Sequence, residues 1–217
     1  MTLEIYWGAG SPYAWRVLLA AEIKRIPYES KLLEFSKGDL KTPAFLAISP
    51  RGKVPAIRDG DFTLGESLAI LAYLDRKYPE PPIFGKTPEE AGRIAVAIAD
   101  FESYVREPVA LVNRWVFGDK PKTPEVDDAR TKVIAEVERF EARLGKGPWL
   151  VGTTPTAADI AWFPTLRGFI RGGVRNEARA TEMGLYPLAT KFPNIGTWVE
   201  RVEALPGYDK TFPPHWR

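Results

Sequence analysis

Two short stretches carry residue types suited to holding an extended peptide that ends in a carboxylate, and a third carries a hydroxyl at a helix start. Ser11-Pro12-Tyr13-Ala14-Trp15-Arg16 puts a hydroxyl just ahead of a proline and an apolar helical run. Gly52-Lys53-Val54-Pro55-Ala56-Ile57 places a proline inside a strand-like run, where it removes a ladder donor and is normally confined to an edge or bulge. A cis bond before Pro55 would turn the chain there and leave the N–H and C=O of Val54 facing outward, open to pairing with a peptide. Glu66-Ser67 opens the periodic segment Leu68, Leu71, Ala72 and Leu74. Free N–H groups at a helix start, with a serine hydroxyl beside them, suit a carboxylate.

Composition removes most other chemistry. The chain of 217 residues contains no cysteine, which excludes disulfides, thiolate metal sites and a cysteine nucleophile. Its one histidine, His215, lies close to the end, so a multi-histidine metal site and a histidine-based triad are excluded as well. The net charge of +2 is evenly spread: residues 1–80 carry 11 Lys+Arg against 10 Asp+Glu, and residues 81–217 carry 19 against 18. Without a basic lobe, nucleic acid is not an expected partner. No apolar run reaches the length of about 18 residues that a membrane span needs, and no charged-then-apolar leader is seen, so the expectation is a cytoplasmic protein with no membrane role.

The elements that must position these residues alternate at first. Leu3–Trp7 reads as a strand, Gly8–Pro12 as a turn, and Val17, Leu18, Ala21 and Ile23 as the apolar face of a helix. A second strand is expected over 27–33, a short helix over 42–48 with Pro43 in its first turn, and strands at 54–58 and 62–64 around the hairpin signal Asp59-Gly60. A helix from Glu66 to Tyr78 stops at Pro79. The order β-α-β-α-β-β-α implies a parallel pair joined through a helix plus an antiparallel hairpin. The proline-rich stretch beginning at Pro79 marks a boundary. The expected division is an α/β domain at 1–79, a linker at 80–87 and an all-α domain at 88–217. Ile94, Ile98, Phe101 and Val105, and again Val133, Val137, Phe140 and Leu144, repeat at helical spacing. Thr156 and Asp159 form a capping-box-like start for a further helix, and Ile195, Trp198, Val199 and Val202 mark another.

A small α/β domain, a proline linker and an all-α domain, with Val-Pro before Glu-Ser, resembles the cytosolic glutathione transferases over nearly the whole chain. Ser11–Arg16 after the first strand, Lys53-Val54-Pro55, Glu66-Ser67 and Thr156–Asp159 stand in that family's order. The resemblance implies a thioredoxin-like domain followed by a helical one, glutathione as cosubstrate, no metal, and a homodimer. By position, Pro55 resembles the family's cis-proline, Val54 the residue whose backbone pairs with the cysteinyl unit, and Glu66 and Ser67 the binders of the γ-glutamyl end. Lys53 stands where it would reach the glycyl carboxylate, and Ser11 resembles the catalytic hydroxyl of the serine-type classes. The pattern Ser11, Trp15, Arg16 is most similar to zeta- or theta-like and bacterial members, although Tyr13 replaces the cysteine of the zeta motif. The implied activity is attack of the glutathione thiolate on a small, hydrophobic electrophile. A glutathione-dependent isomerase, dehalogenase or ether-cleaving enzyme is the alternative on the same scaffold, and a non-catalytic scaffold protein the alternative from another class.

Energetics support Ser11 as a donor. A thiol with an ordinary pKa of about 8.5 is only a few per cent ionised at neutral pH, and lowering it by two units takes about 2.7 kcal/mol. A hydrogen bond from the serine to the charged sulfur contributes roughly 1.5–3 kcal/mol. The helix terminus adds about 0.3–1 kcal/mol. Ser11 then ionises the ligand's thiol and is not itself the nucleophile. The bland readings stand beside these: Ser11 as a simple N-cap, Glu66 and Ser67 as first-turn residues, Lys53 as a solvated lysine. Tyr13, Tyr104, Pro108 and Trp115 are the expected acceptor-pocket residues, the last three on one side of one helix, with interdomain core as their plain alternative. Asp100 is expected either at the surface or reaching a ligand across a dimer interface. Arg167, Arg171, Arg175 and Arg179 would form a basic stripe if helical throughout, with Gly172-Gly173 expected to interrupt it. The apolar tail, Phe212 to Arg217, is expected to pack on the helical domain.

Overall fold

Alternation makes the first strand: in β1 (Leu3–Trp7) Leu3, Ile5 and Trp7 are buried and the residues between them half-exposed. The computed structural model describes residues 2–216, so Met1 and Arg217, the end of the apolar tail, lie outside the described residues. The chain folds as two units, Met1–Ile83 with Ala204–Arg217, and Phe84–Glu203.

In the first unit β1 leads into α1 (Pro12–Ile23), β2 (Tyr28–Leu32), two short 3₁₀ turns, α2 (Pro43–Leu46), β3 (Ala56–Asp59), β4 (Phe62–Gly65) and α3 (Ser67–Lys77). The sheet order is β2-β1-β3-β4; β1 and β2 are parallel, and β3 is antiparallel to both β1 and β4. The hairpin closes one residue later than its Asp59-Gly60 signal suggests. Asp59 pairs with Phe62, so the loop is Gly60-Asp61. Residues Ala14 to Ala21 of α1 are all buried, because the helix packs on β1, on α3 and on the tail.

That tail corrects the sequence division. Residues 204–216 belong to the first unit, not to the helical one. The short helix α11 (Tyr208–Thr211) lies on α1. Thr211 Oγ1 accepts from the Trp15 indole at 2.8 Å, and Tyr208, Phe212 and Trp216 surround the same ring. An apolar end needs an apolar face, and α1 supplies one through Trp15. The linker differs too. Pro81 O accepts from the buried Lys24 ammonium at 2.5 Å, while Asp75 accepts from Lys24 and from the Ile83 amide. The segment up to Ile83 is thereby fastened to its own unit.

The second unit comprises α4 (Pro88–Asp100), a π turn at Phe101–Val105, α5 (Arg106–Phe117), α6 (Pro124–Leu144), α7 (Ala157–Arg175), α8 (Glu177–Glu182), α9 (Leu188–Lys191) and α10 (Pro193–Glu203). Pro108 explains the π turn: without an N–H it cannot bond the carbonyl of Tyr104, and its ring pushes the preceding turn wide. The core is aromatic, with Phe140 against both Trp162 and Trp198. Thr156 and Asp159 form a capping box at the start of α7. The Asp159 carboxylate accepts from the Leu150 and Thr156 amides, the Thr156 hydroxyl and the Trp198 indole, all within 3.0 Å. Burial pushes this carboxyl up from its ordinary value, and those donors oppose the shift.

Gly172-Gly173 does not interrupt α7. A Cβ on Gly173 would fall 1.9 Å from a Tyr186 ring carbon, so the pair serves close packing and not a break. The arginine stripe nevertheless dissolves into separate contacts. Arg167 binds Glu203 at 2.7 Å, and Arg179 donates to the carbonyls of Trp115, Gly118 and Asp119 at the end of α5.

Candidate functional site

Register brings the three sequence stretches to one end of the sheet. Tyr6 pairs with Ala56, and Ala56 pairs with Gly65. Chain running out of β1 toward Ser11, chain entering β3 from Val54-Pro55, and chain leaving β4 into Glu66-Ser67 therefore lie at the same end of the sheet.

Ser11 is the N-cap of α1, with Pro12 at the first helical position. Its amide donates to Gly8 O at 3.1 Å and its Oγ accepts from the Ala14 amide at 3.2 Å. The N-cap reading thus holds geometrically, and it is compatible with the functional one. A hydroxyl that accepts through a lone pair keeps its own proton to donate. The turn ahead of Ser11 has two neighbours that sequence reasoning missed. Phe35, half exposed, has its ring on Gly8, and the His215 ring lies over Gly10. His215 Nε2 accepts from the Trp216 indole at 3.0 Å.

The Val54–Pro55 bond is cis, as the family resemblance implied. Among the described residues no backbone–backbone hydrogen bond engages Val54. The loop before it is held from beneath: the buried Ser49 hydroxyl donates to Lys53 O at 2.8 Å and accepts from the Lys53 amide at 3.3 Å. Gly52 has φ +59, and a Cβ there would meet Leu40 O at 2.8 Å, so both conformation and space call for glycine. The Lys53 side chain is exposed.

Glu66 has φ 64, unusual for a residue with a Cβ. Such backbone costs on the order of 1–3 kcal/mol and gathers at binding sites. Its exposed carboxylate pairs with Arg51 at 3.0 Å. Ser67 begins α3 and is 6% exposed; Arg16 Nη1 donates to its Oγ at 3.3 Å. Arg16 is 1% exposed, with its guanidinium 4.9 Å from the Tyr13 ring centre. The sequence signal for it was its place in the Ser11, Trp15, Arg16 pattern; its burial is seen only in the fold.

The expected pocket residues of the helical unit do not form one wall. Trp115 is 7% exposed and sits in that unit's core with the Arg179 guanidinium over it. Tyr104 is exposed and lines a different hollow of about 160 Å³ with Asp100, Glu136, Arg139, Arg143 and Trp162. Pro108 is half-buried. Asp100 is bound by Arg143 at 3.1 Å. Among the described residues there is no cluster of His, Cys, Asp and Glu that could hold a metal ion, and no helix long and apolar enough to cross a membrane.

A four-stranded mixed sheet flanked by helices, with a cis-proline loop and a capped helix start at one end, followed by an all-α unit, defines the thioredoxin-like plus helical architecture. Family models for the glutathione S-transferase N-terminal domain and C-terminal domain match residues 10–77 and 94–206. The chain belongs to the glutathione S-transferase family and is a glutathione transferase enzyme. It is 30% identical over 214 residues to glutathione S-transferase 4 of Zea mays, covering 96% of this chain and 91% of that one. The crystal structure of a glutathione S-transferase from the Antarctic clam Laternula elliptica superposes with a TM-score of 0.83 at 29% identity, covering 100% of this chain and 94% of that one. A glutathione S-transferase-I structure bound with lactoylglutathione superposes with a TM-score of 0.78 at 25% identity, covering 97% and 98%.

Proposed function

We propose that this enzyme is of the serine type, binding glutathione at this end of the sheet and ionising it with the Ser11 hydroxyl for attack on a small hydrophobic electrophile. The observation that carries the reading is the register. It gathers a hydroxyl at a helix start, unpaired loop backbone at Val54 and a second helix start at Ser67 at one end of the sheet. In this reading Val54 pairs with the cysteinyl backbone, Pro55 shapes that loop, Lys53 meets the glycyl carboxylate, and Glu66 and Ser67 take the γ-glutamyl end. The neighbouring structure that holds lactoylglutathione supports a glutathione conjugate as the ligand class.

The Ser11 proton, directed by the Ala14 contact, stabilises the developing thiolate, and α1 adds the partial positive charge of its N-terminus. Holding thiolate and acceptor together supplies further acceleration. Tyr13 and the exposed ring of Phe35 are the aromatic surfaces offered to a hydrophobic acceptor from the first unit. Homodimer formation and a cytoplasmic location complete the proposal, in keeping with the family. Calorimetry with glutathione and turnover with a chloronitrobenzene acceptor test it. Ser11→Ala is expected to bind glutathione within about threefold of the parent and to lose roughly 10- to 100-fold in turnover, the worth of one hydrogen bond to a charged group. Undiminished turnover in that variant would remove Ser11 from the chemistry.

A further inference from the structure

We infer that Arg16 is a positioning residue for the ligand's γ-glutamyl α-carboxylate, acting through Ser67. This rests on the glutathione site proposed above. Burying a guanidinium at 1% exposure is costly unless its hydrogen bonds do specific work. Among the described side chains Arg16 is one of the largest that are fully buried.

Its contact with Ser67 has a fixed direction. A guanidinium carries five donors and no acceptor, so at 3.3 Å the Ser67 oxygen accepts. One lone pair of that hydroxyl is then occupied, and its single proton is turned away from Arg16. A carboxylate is acceptor-only and takes that proton. Ser67 also begins α3, where the first amides lack intrahelical partners and favour an anion. The buried positive charge behind the hydroxyl strengthens the same preference.

Geometry adds a second role. Ser11 and Arg16 lie on one helix, and α1 packs against α3. The spacing between the group that meets the sulfur and the group that orients Ser67 is therefore set by a rigid element. The Tyr13 ring against the guanidinium limits its alternatives. Arg16 thus links the two ends of the ligand without touching either.

The test uses Arg16→Met and Arg16→Lys with two ligands, glutathione and 4-aminobutyryl-cysteinyl-glycine, which lacks only the γ-glutamyl α-carboxylate. Calorimetry on Arg16→Met is expected to show glutathione weakened roughly 10- to 100-fold, with the analogue changed by less than about threefold. Arg16→Lys, which keeps the charge and loses the fork, should fall between. At saturating glutathione the bound thiol should titrate as in the parent, so KM rises while kcat holds. Equal weakening of both ligands would make Arg16 merely structural and overturn the inference, as would unchanged glutathione affinity. Should Arg16→Met not fold, the cycle of Arg16→Lys with Ser67→Ala decides: coupled losses support the inference and additive ones overturn it. A parent protein that binds both ligands equally well would instead overturn the γ-glutamyl site itself.

Discussion

Two helix starts in this protein use the same local grammar to opposite ends. Ser11 caps α1 and Thr156 caps α7, each a hydroxyl residue ahead of an apolar helix. At α7 every oxygen is spoken for. Asp159 collects four donors, the Thr156 hydroxyl gives its proton to that carboxylate, and both residues are buried. At α1 the Ser11 oxygen has one contact, at 3.2 Å, and its proton is uncommitted among the hydrogen bonds described for it. A saturated cap is structural; one with a donor to spare can serve a ligand. Two buried cations also reach different kinds of partner. Lys24 spends itself on Asp75 and the Pro81 carbonyl, whereas Arg16 reaches the first residue of a helix at the proposed site.

If the contrast is right, breaking the saturated start costs stability and leaves chemistry alone. Asp159→Ala strands four donors and should destabilise by about 3–5 kcal/mol, seen in urea unfolding. Its turnover per folded molecule should be unchanged. Asp159→Asn should lie between, since it keeps an acceptor for Leu150 and Trp198. Ser11→Ala inverts the pattern, losing only about 1 kcal/mol as a cap while turnover falls. Glu66→Gly sharpens it further. Relieving φ 64 should raise stability by about 1 kcal/mol while glutathione, losing the Glu66 side chain, binds more weakly.

The smallest effect expected is electrostatic. The Arg58 guanidinium grips Glu4 in a two-point contact, and Tyr6 adds a bond, which together hold the Glu4 carboxyl down at about 2 against an ordinary 4.5. A depressed acid stabilises the fold above its unfolded value, and that contribution is lost as pH falls from about 4.5 to about 2. Arg58 is 45% exposed, so solvent screening limits the pair to about 1 kcal/mol or less. Glu4→Gln should flatten the acid limb of stability in that window and leave neutral-pH activity unchanged.

Much of this was legible in the chain. Periodicity places β1, α1 and α3, and Pro55 marks the loop that enters β3, because these are local signals read by local rules. What was hidden is tertiary. Nothing in the run Val17 to Ile23 says that one helix will be covered on a second face by a tail from the far end of the chain. Gly172-Gly173 looks like a break until Tyr186 is seen packed against it. Tyr104 and Trp115 share a helical spacing, yet one is exposed and the other buried in its unit's core, which spacing alone cannot show. Arg16 is legible only as part of the Ser11, Trp15, Arg16 pattern, and its burial against Ser67 is what the sequence could not show.

The central claim is that the uncommitted proton of Ser11 ionises the ligand's thiol. The direct measurement is an ultraviolet titration of thiolate absorbance at saturating glutathione, comparing the parent with Ser11→Ala and with His215→Ala, whose ring lies over Gly10. The account predicts that the bound thiol titrates well below about 8.5 in the parent and in His215→Ala, and rises by about one to two units in Ser11→Ala. A thiol that titrates unchanged in Ser11→Ala, or that rises only in His215→Ala, would contradict it.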